Sequence, residues 1–384
     1  MRKRTHLTLT VSLLVLATVG CAHPYRELRT IQQVPHLAKL EAQRLQQTSW
    51  TTYRVETAAD GGSGQALAVE ELHNPDADRT LVFVHGGFSN RETWRFLVGD
   101  LGRDHKIVLI DQLGSGESDH PDPESLPTEG YGPEAQARRI LQVLRERDNQ
   151  TDDRGPFTFV GHSIGGTVVL RALGSPALSI EYPDVLERVE SAVLLAPLDI
   201  AVERIPADFV TVAELPGPLL GIARMFGMVK RKTARIALAS TNDPSHATHL
   251  EADRLRSILI NRERRRSAQA VLRQTVPYSP ETRRPTWNKI EQLVADYQSV
   301  TPRVLIIWGE RDEVLPLSMG YKLQRQLPNA QLRVIEKSKH ALPSERPAIV
   351  ASLLREFIEQ VESAEVVADR ITLNPDADSP LAAN

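Results

Sequence analysis

The sequence predicts an α/β protein: a mostly parallel central sheet flanked by helices, with a helical cap inserted late in the chain. Three observations predict it. Short continuous apolar runs recur at Leu81–Val84, Ile107–Ile110, Phe157–Val160, Ala192–Leu195 and Val304–Ile307, as expected of strands buried on both faces. Helical segments lie between these runs, which is what right-handed crossovers between parallel strands require. The alternation then breaks after Pro197, and Leu-, Ala- and Arg-rich stretches interrupted by prolines occupy residues 199–300.

The chain of 384 residues opens with Arg2, Lys3 and Arg4 ahead of an apolar stretch, Leu7–Val19, that ends at Gly20 and Cys21. A basic start, an apolar middle and a small-residue end make residues 1–20 a secretory signal peptide. The stretch falls short of the ~20 residues that cross a bilayer core. Cys21 is the only cysteine, so no intramolecular disulfide holds the fold and stability must come from its core. Set among Val19, Gly20 and Ala22, it resembles a bacterial lipobox, although the usual leucine three positions earlier is here Thr18. The resemblance implies that Cys21 becomes the lipidated first residue, anchoring the protein to a bacterial membrane on the periplasmic face or cell surface. Residues 21–49, polar and Gln-rich after the cysteine, read as a tether with room for a short helix.

The body then begins. Trp50–Thr57 and Ala66–Leu72 alternate around the turn Asp60-Gly61-Gly62-Ser63-Gly64 and read as a hairpin. Pro133–Asp148 is the clearest helix, with Ala137, Ile140, Leu141 and Leu144 as its apolar stripe. Pro133 suits a first-turn position, Glu134 the positive end, and Arg145 and Arg147 the negative end. Residues 50–198 form the first part of the core and 199–300 the cap. The core resumes over 301–363 with Val304–Ile307, a strand at Leu332–Ile335 and a closing helix over about 345–361. Residues 364–384, with Pro375, Asp376, Asp378 and Pro380, read as a disordered tail.

A formal net charge of −3 provides no basic footprint for nucleic acid. Arg262, Arg264, Arg265 and Arg266 read as a solvated helix face. No Cys, His or carboxylate cluster has metal-ligand spacing and no G-x-G-x-x-G segment sits on a strand-turn-helix, so neither metal nor cofactor is expected.

Gly161-His162-Ser163-Ile164-Gly165 follows a buried strand and opens a helical run, Thr167–Leu173. This is the setting of a nucleophile elbow, where a serine sits on a sharp strand-to-helix turn. Small residues at 161, 165 and 166 let strand and helix approach, and the N–H of Ile164 stands at a helix N-terminus where a developing oxyanion can be met. A serine hydroxyl needs a base, and His340, after the last strand and before the closing helix, is the candidate. Asp312, after the strand Val304–Ile307, would fix the imidazole tautomer; Asp199, after another strand end, is the alternative acid. A second oxyanion donor is expected from Gly87 or Phe88 in His85-Gly86-Gly87-Phe88, with His85 shaping that loop. His162 reads as a packing or hydrogen-bonding neighbour, and Glu310 and Glu313 as exposed carboxylates.

These motifs, with Asp111-Gln112-Leu113-Gly114-Ser115-Gly116-Glu117-Ser118 and Trp308-Gly309-Glu310-Arg311-Asp312, resemble the α/β-hydrolase superfamily over residues 50–200 and 300–362. The resemblance implies an α/β-hydrolase fold with a serine hydrolase triad of Ser163, Asp312 and His340. The 111–116 segment is similar to the branch of proline iminopeptidases and esterases. Those peptidases usually carry tryptophan after the serine, where this chain has Ile164, and use cap carboxylates for a substrate amine; Glu203, Asp208, Glu214, Glu251 and Asp253 stay unsorted. The leading expectation is hydrolysis of a carboxylic ester of a small to medium, largely apolar substrate through an acyl-enzyme. An aminopeptidase and a non-catalytic lipid-anchored binding protein are the alternatives. Leu215–Val229 reads equally as the cap's own packing and as an acyl-pocket lining or membrane-contacting stretch.

Overall fold

The computed structural model describes residues 23–58, 64–151, 153–198, 223–276, 279, 282 and 284–373. Its centre is an eight-stranded sheet: β1 (Trp50–Thr57), β2 (Gln65–Leu72), β3 (Thr80–Val84), β4 (Lys106–Ile110), β5 (Phe157–His162), β6 (Val189–Leu195), β7 (Arg303–Gly309) and β8 (Ala330–Ile335). The order is β1-β2-β4-β3-β5-β6-β7-β8. Only β2 runs against its neighbours β1 and β4; every other pairing is parallel. The continuous apolar runs are the strands with helices on both faces, so both sides of each strand have to be apolar.

On one face, α3 (Pro133–Gln150) and α4 (Ile164–Gly174) cover Val82, Val84, Val108 and Phe159. On the other, α2 (Arg95–Leu101) and the closing helix α10 (Pro347–Leu373) cover Leu81, Phe83, Leu109 and Ile307. In α3 the stripe Ala137, Ile140, Leu141 and Leu144 is wholly inside, as the 3.6-residue period requires. Its C-terminal arginines serve differently from the dipole role expected of them. Arg147 is buried between Glu71 at 2.7 Å and Asp153 at 2.8 Å, and Arg145 pairs with Asp184.

The tether expected over residues 21–49 differs most, because from His23 the chain is folded onto the body. Helix α1 (Pro35–Gln46) packs on α2 through Val34, Leu37 and Phe96. Ion pairs of Arg95 with Glu41 and of Arg44 with Glu70 fasten it. Gly99 makes the approach close, since a Cβ there would lie 2.7 Å from the Arg44 backbone nitrogen. Few apolar positions and partners supplied by a distant helix are why composition alone reads this segment as polar linker.

Between β6 and β7 the described residues form helices α5 (Met228–Ala239), α6 (His249–Ile260), α7 (Arg262–Thr275) and α8 (Trp287–Ala295), and no sheet strand. Helix α9 (Leu317–Gln326) joins β7 to β8. Arg266 on α7 is paired with Asp122 at 2.6 Å and Glu124 at 3.1 Å rather than being merely solvated. The closing helix runs past its expected end at Val361 to Leu373. Among the described residues no helix is long and apolar enough to cross a membrane.

Candidate active site

Ser163 stands between β5 and α4 with φ 52° and ψ −121°, a backbone region that costs a non-glycine residue about 1–3 kcal/mol. The surrounding chain over-determines it. Ser163 N–H donates to the Leu195 carbonyl at 3.0 Å, and the Ser163 carbonyl accepts from Gly166 and Leu198, each at 3.0 Å. A Cβ on Gly165 would lie 2.1 Å from the Val84 carbonyl oxygen, and one on Gly166 would lie 2.6 Å from the Pro197 Cβ. Backbone cannot yield there as a flexible side chain would. Gly165→Val is therefore expected to destabilise the fold by about 3 kcal/mol or more, read from urea unfolding; a change below about 1 kcal/mol would contradict this account of the turn.

The β3 end supplies the facing loop. Gly86 and Gly87 let the loop lie close against the elbow: a Cβ would come 3.1 Å from the Ser163 Cβ at Gly86 and 2.7 Å from the tip of the Ile164 side chain at Gly87. Phe88 also has a positive φ, 55°. His85 holds this loop to the β4 end: its Nε2 accepts from the Gln112 N–H at 3.1 Å, which leaves the proton on Nδ1 to donate to the Gly86 carbonyl at 2.8 Å. Burial lowers its pKa, so the neutral ring persists. Gln112 Nε2 donates to the His85 carbonyl at 2.6 Å. Asp111 beside it is fully buried and accepts from the Arg91 N–H at 2.7 Å and the Glu117 N–H at 3.0 Å. The Asp111–Gly116 motif is thus a brace for the loop carrying Gly87 and Phe88.

Asp312 and His340 stand on the loops after β7 and β8. His340 Nδ1 lies 2.7 Å from Asp312 Oδ2, and Asp312 Oδ1 accepts from Val314 N–H at 2.9 Å and Leu315 N–H at 2.8 Å. With Nδ1 committed, Nε2 is the ring nitrogen left for proton transfer. The two loops touch at Gly309, where a Cβ would lie 2.3 Å from the Lys339 carbonyl oxygen. Arg311 N–H donates to the Ser338 carbonyl at 2.8 Å. Glu313 is exposed and pairs with Lys339 at 3.2 Å, while Glu310 accepts from the Lys337 N–H at 2.9 Å.

Ser163, His340, Gly87 and Phe88 line one cleft of about 200 Å³. Ile164 begins α4 directly behind the serine, and first-turn N–H groups have no intrahelical acceptor. On the far side of Gly87 and Phe88, Ile164, Ile258 and Val271 line a smaller apolar recess. Cys21, Asp199, Glu203, Asp208 and Glu214 lie outside the described residues. Asp253 is turned away, accepting from Tyr25 Oη at 2.8 Å.

Two contributors, Glu345 and Arg254, escape the motif reading, while a third, His162, is the hydrogen-bonding neighbour that the sequence leads one to expect. His162 is buried, and its Nε2 donates to the His340 carbonyl at 3.0 Å. Burial, reinforced by the facing His340, pushes its pKa down to about 3, so it stays neutral. Glu345, 1% exposed, accepts from the Lys339 N–H at 2.8 Å and the Asn242 N–H at 2.6 Å, tying the His340 loop to the segment after α5. Arg254 of α6 lines the cleft. His162 adjoins the serine in sequence and was noticeable there; Glu345 and Arg254 had no local signal.

Residues 81–353 match the model of the alpha/beta hydrolase family. The chain is 23% identical over 295 residues to an uncharacterized hydrolase of Bacillus subtilis, covering 77% of this chain and 95% of that protein. It is also 23% identical over 308 residues to a 2-hydroxymuconate semialdehyde hydrolase of a Pseudomonas species, covering 77% of this chain and 92% of the relative. A thermophilic esterase from Thermogutta terrifontis superposes with a TM-score of 0.56 at 19% identity, over 81% of this chain and 99% of the esterase. At that identity the likeness speaks for the fold, with its eight-stranded, mostly parallel sheet between helices. With the family model spanning most of the chain, the protein belongs to the alpha/beta hydrolase family.

Proposed function

We propose that the protein is a serine hydrolase that cleaves a carboxylic ester of a small to medium, largely apolar substrate through an acyl-enzyme. The observation that carries this reading is the 2.7 Å contact of His340 Nδ1 with Asp312 Oδ2, on a histidine that shares a cleft with the strained Ser163. In this mechanism His340 Nε2 takes the Ser163 Oγ proton as Oγ attacks the ester carbonyl. The oxyanion is met by the N–H of Ile164 and that of Gly87 or Phe88. His340 then protonates the leaving alcohol, and water, deprotonated by the same nitrogen, releases the acid. A fluorophosphonate probe should label Ser163; absence of labelling on folded protein would end this reading.

The aminopeptidase alternative requires a carboxylate for the substrate amine, and Glu251, which lines the cleft, is the residue that favours it. Parallel assays with simple esters, thioesters and aminoacyl 4-nitroanilides separate the two.

For location, we propose lipidation at Cys21. His23 is the first described residue, and the chain there is already seated, with Pro24 buried and Tyr25 Oη bonded to Asp253. A lipid on Cys21 would hold the body close to the bilayer. Cys21→Ser is expected to move the protein from the membrane to the soluble fraction, and membrane association undiminished in that variant would refute the anchor.

A further inference from the structure

Arg254 is a cation in the reactive cleft and, among the described residues, has no carboxylate in contact. Among the described residues none pairs with it, its Nε is closed off from solvent without a hydrogen-bond partner, and Nη1 reaches only Thr93 Oγ1 at 3.5 Å. Arg91, Arg147 and Arg171, which are buried, each hold at least two carboxylates. Glu92 and Glu251 act on Arg254 only at longer range. Glu92 is paired with Arg95 at 2.9 Å, and Glu251, one turn back on α6, accepts from Thr248 Oγ1. An arginine cannot shed its proton to relieve this, and burial already bears on it enough to lower its pKa. A half-buried charge left in this state gains from an anion brought in by a ligand. Ser89 and Thr93, whose hydroxyls are hydrogen-bonded to each other, also line the cleft, and because one of their two protons is spent on that bond they leave one further donor for a ligand.

We propose that Arg254, with Thr93 and Ser89 beside it, binds a carboxylate carried by the substrate, so that the preferred ester is a largely apolar one with one free carboxylate. The proposal rests on the serine-hydrolase reading and names its substrate class.

The test compares 4-nitrophenyl hydrogen glutarate with 4-nitrophenyl pentanoate, similar acyl chains with and without the charge. The intact protein is expected to prefer the glutarate ester. Arg254→Gln should lower the glutarate-to-pentanoate ratio of kcat/KM by about 10- to 100-fold, the worth of a hydrogen-bonded charge. The change should fall mainly on KM for glutarate, and Arg254→Lys should recover part of it. A ratio unmoved by Arg254→Gln would overturn the proposal, as would a preference for aminoacyl esters that depends on Glu251. Calorimetric titration of Ser163→Ala protein with glutarate provides a second readout independent of turnover. Binding that disappears when Arg254→Gln is added supports the site even if fluorophosphonate labelling fails and the hydrolase reading falls. Labelling of Ser163 without any Arg254-dependent glutarate binding or preference sinks the carboxylate site and leaves the hydrolase standing.

Discussion

Ser163→Ala is expected to reduce ester turnover by about 10⁶-fold, and His340→Ala by a similar factor, with the double variant scarcely worse than either alone. The reason is that neither group works without the other. The hydroxyl is a weak nucleophile until Nε2 accepts its proton, and the imidazole has nothing to activate once the hydroxyl is gone. Residual turnover over water, on the order of 10³–10⁴-fold, would come from the oxyanion donors and from binding. Single-turnover assays with 4-nitrophenyl butyrate measure this directly. Retention of most activity by Ser163→Ala would require a different nucleophile, and additive losses in the double variant would mean that the two residues act separately.

Asp312→Asn is expected to cut kcat by about 10⁴-fold, and the hydrogen bonds around Asp312 explain why an isosteric change does so much. The N–H groups of Val314 and Leu315 both donate to Oδ1. An asparagine would keep its carbonyl oxygen against those two donors, which turns its NH₂ toward His340 Nδ1. That nitrogen would then have to accept, moving the ring proton to Nε2, the atom that must be free to take the serine proton. The loss should fall on kcat with the fold intact by circular dichroism. Asp199→Asn is expected to do little. If Asp199→Asn abolished activity while Asp312→Asn kept it, the acid would be Asp199 and the 2.7 Å contact with His340 would be structural.

All eight strands coincide with segments legible in the chain, the central ones because strands buried on both faces must be apolar throughout; β2, read as one alternating arm of a hairpin, is instead buried along its whole length between β1 and β4, and β8 at the sheet edge is largely open. The Gly161–Gly166 turn is legible for a similarly local reason: only glycine tolerates backbone at 2.1 Å from its Cβ position, as at Gly165. Element boundaries leave a weaker mark in the sequence. The closing helix continues to Leu373, past the Val361 where the sequence places its end. The docked segment at Pro35–Gln46 was read as tether because its stabilising partners, Phe96, Arg95 and Glu70, lie far along the chain.

By itself, the sequence determined the sheet and its flanking helices, the elbow turn and the loop positions of Asp312 and His340, since periodicity, glycine and strand ends are written in neighbouring residues. Tertiary structure alone decided which groups share the cleft. His162 meets the His340 carbonyl across 178 positions, Glu345 reaches Asn242 across 103, and Arg254 touches Thr93 across 161. Contacts at such separations depend on how the strand-end loops meet and, for Asn242 and Arg254, on how the helices of residues 228–275 seat over them, and no local pattern encodes that geometry.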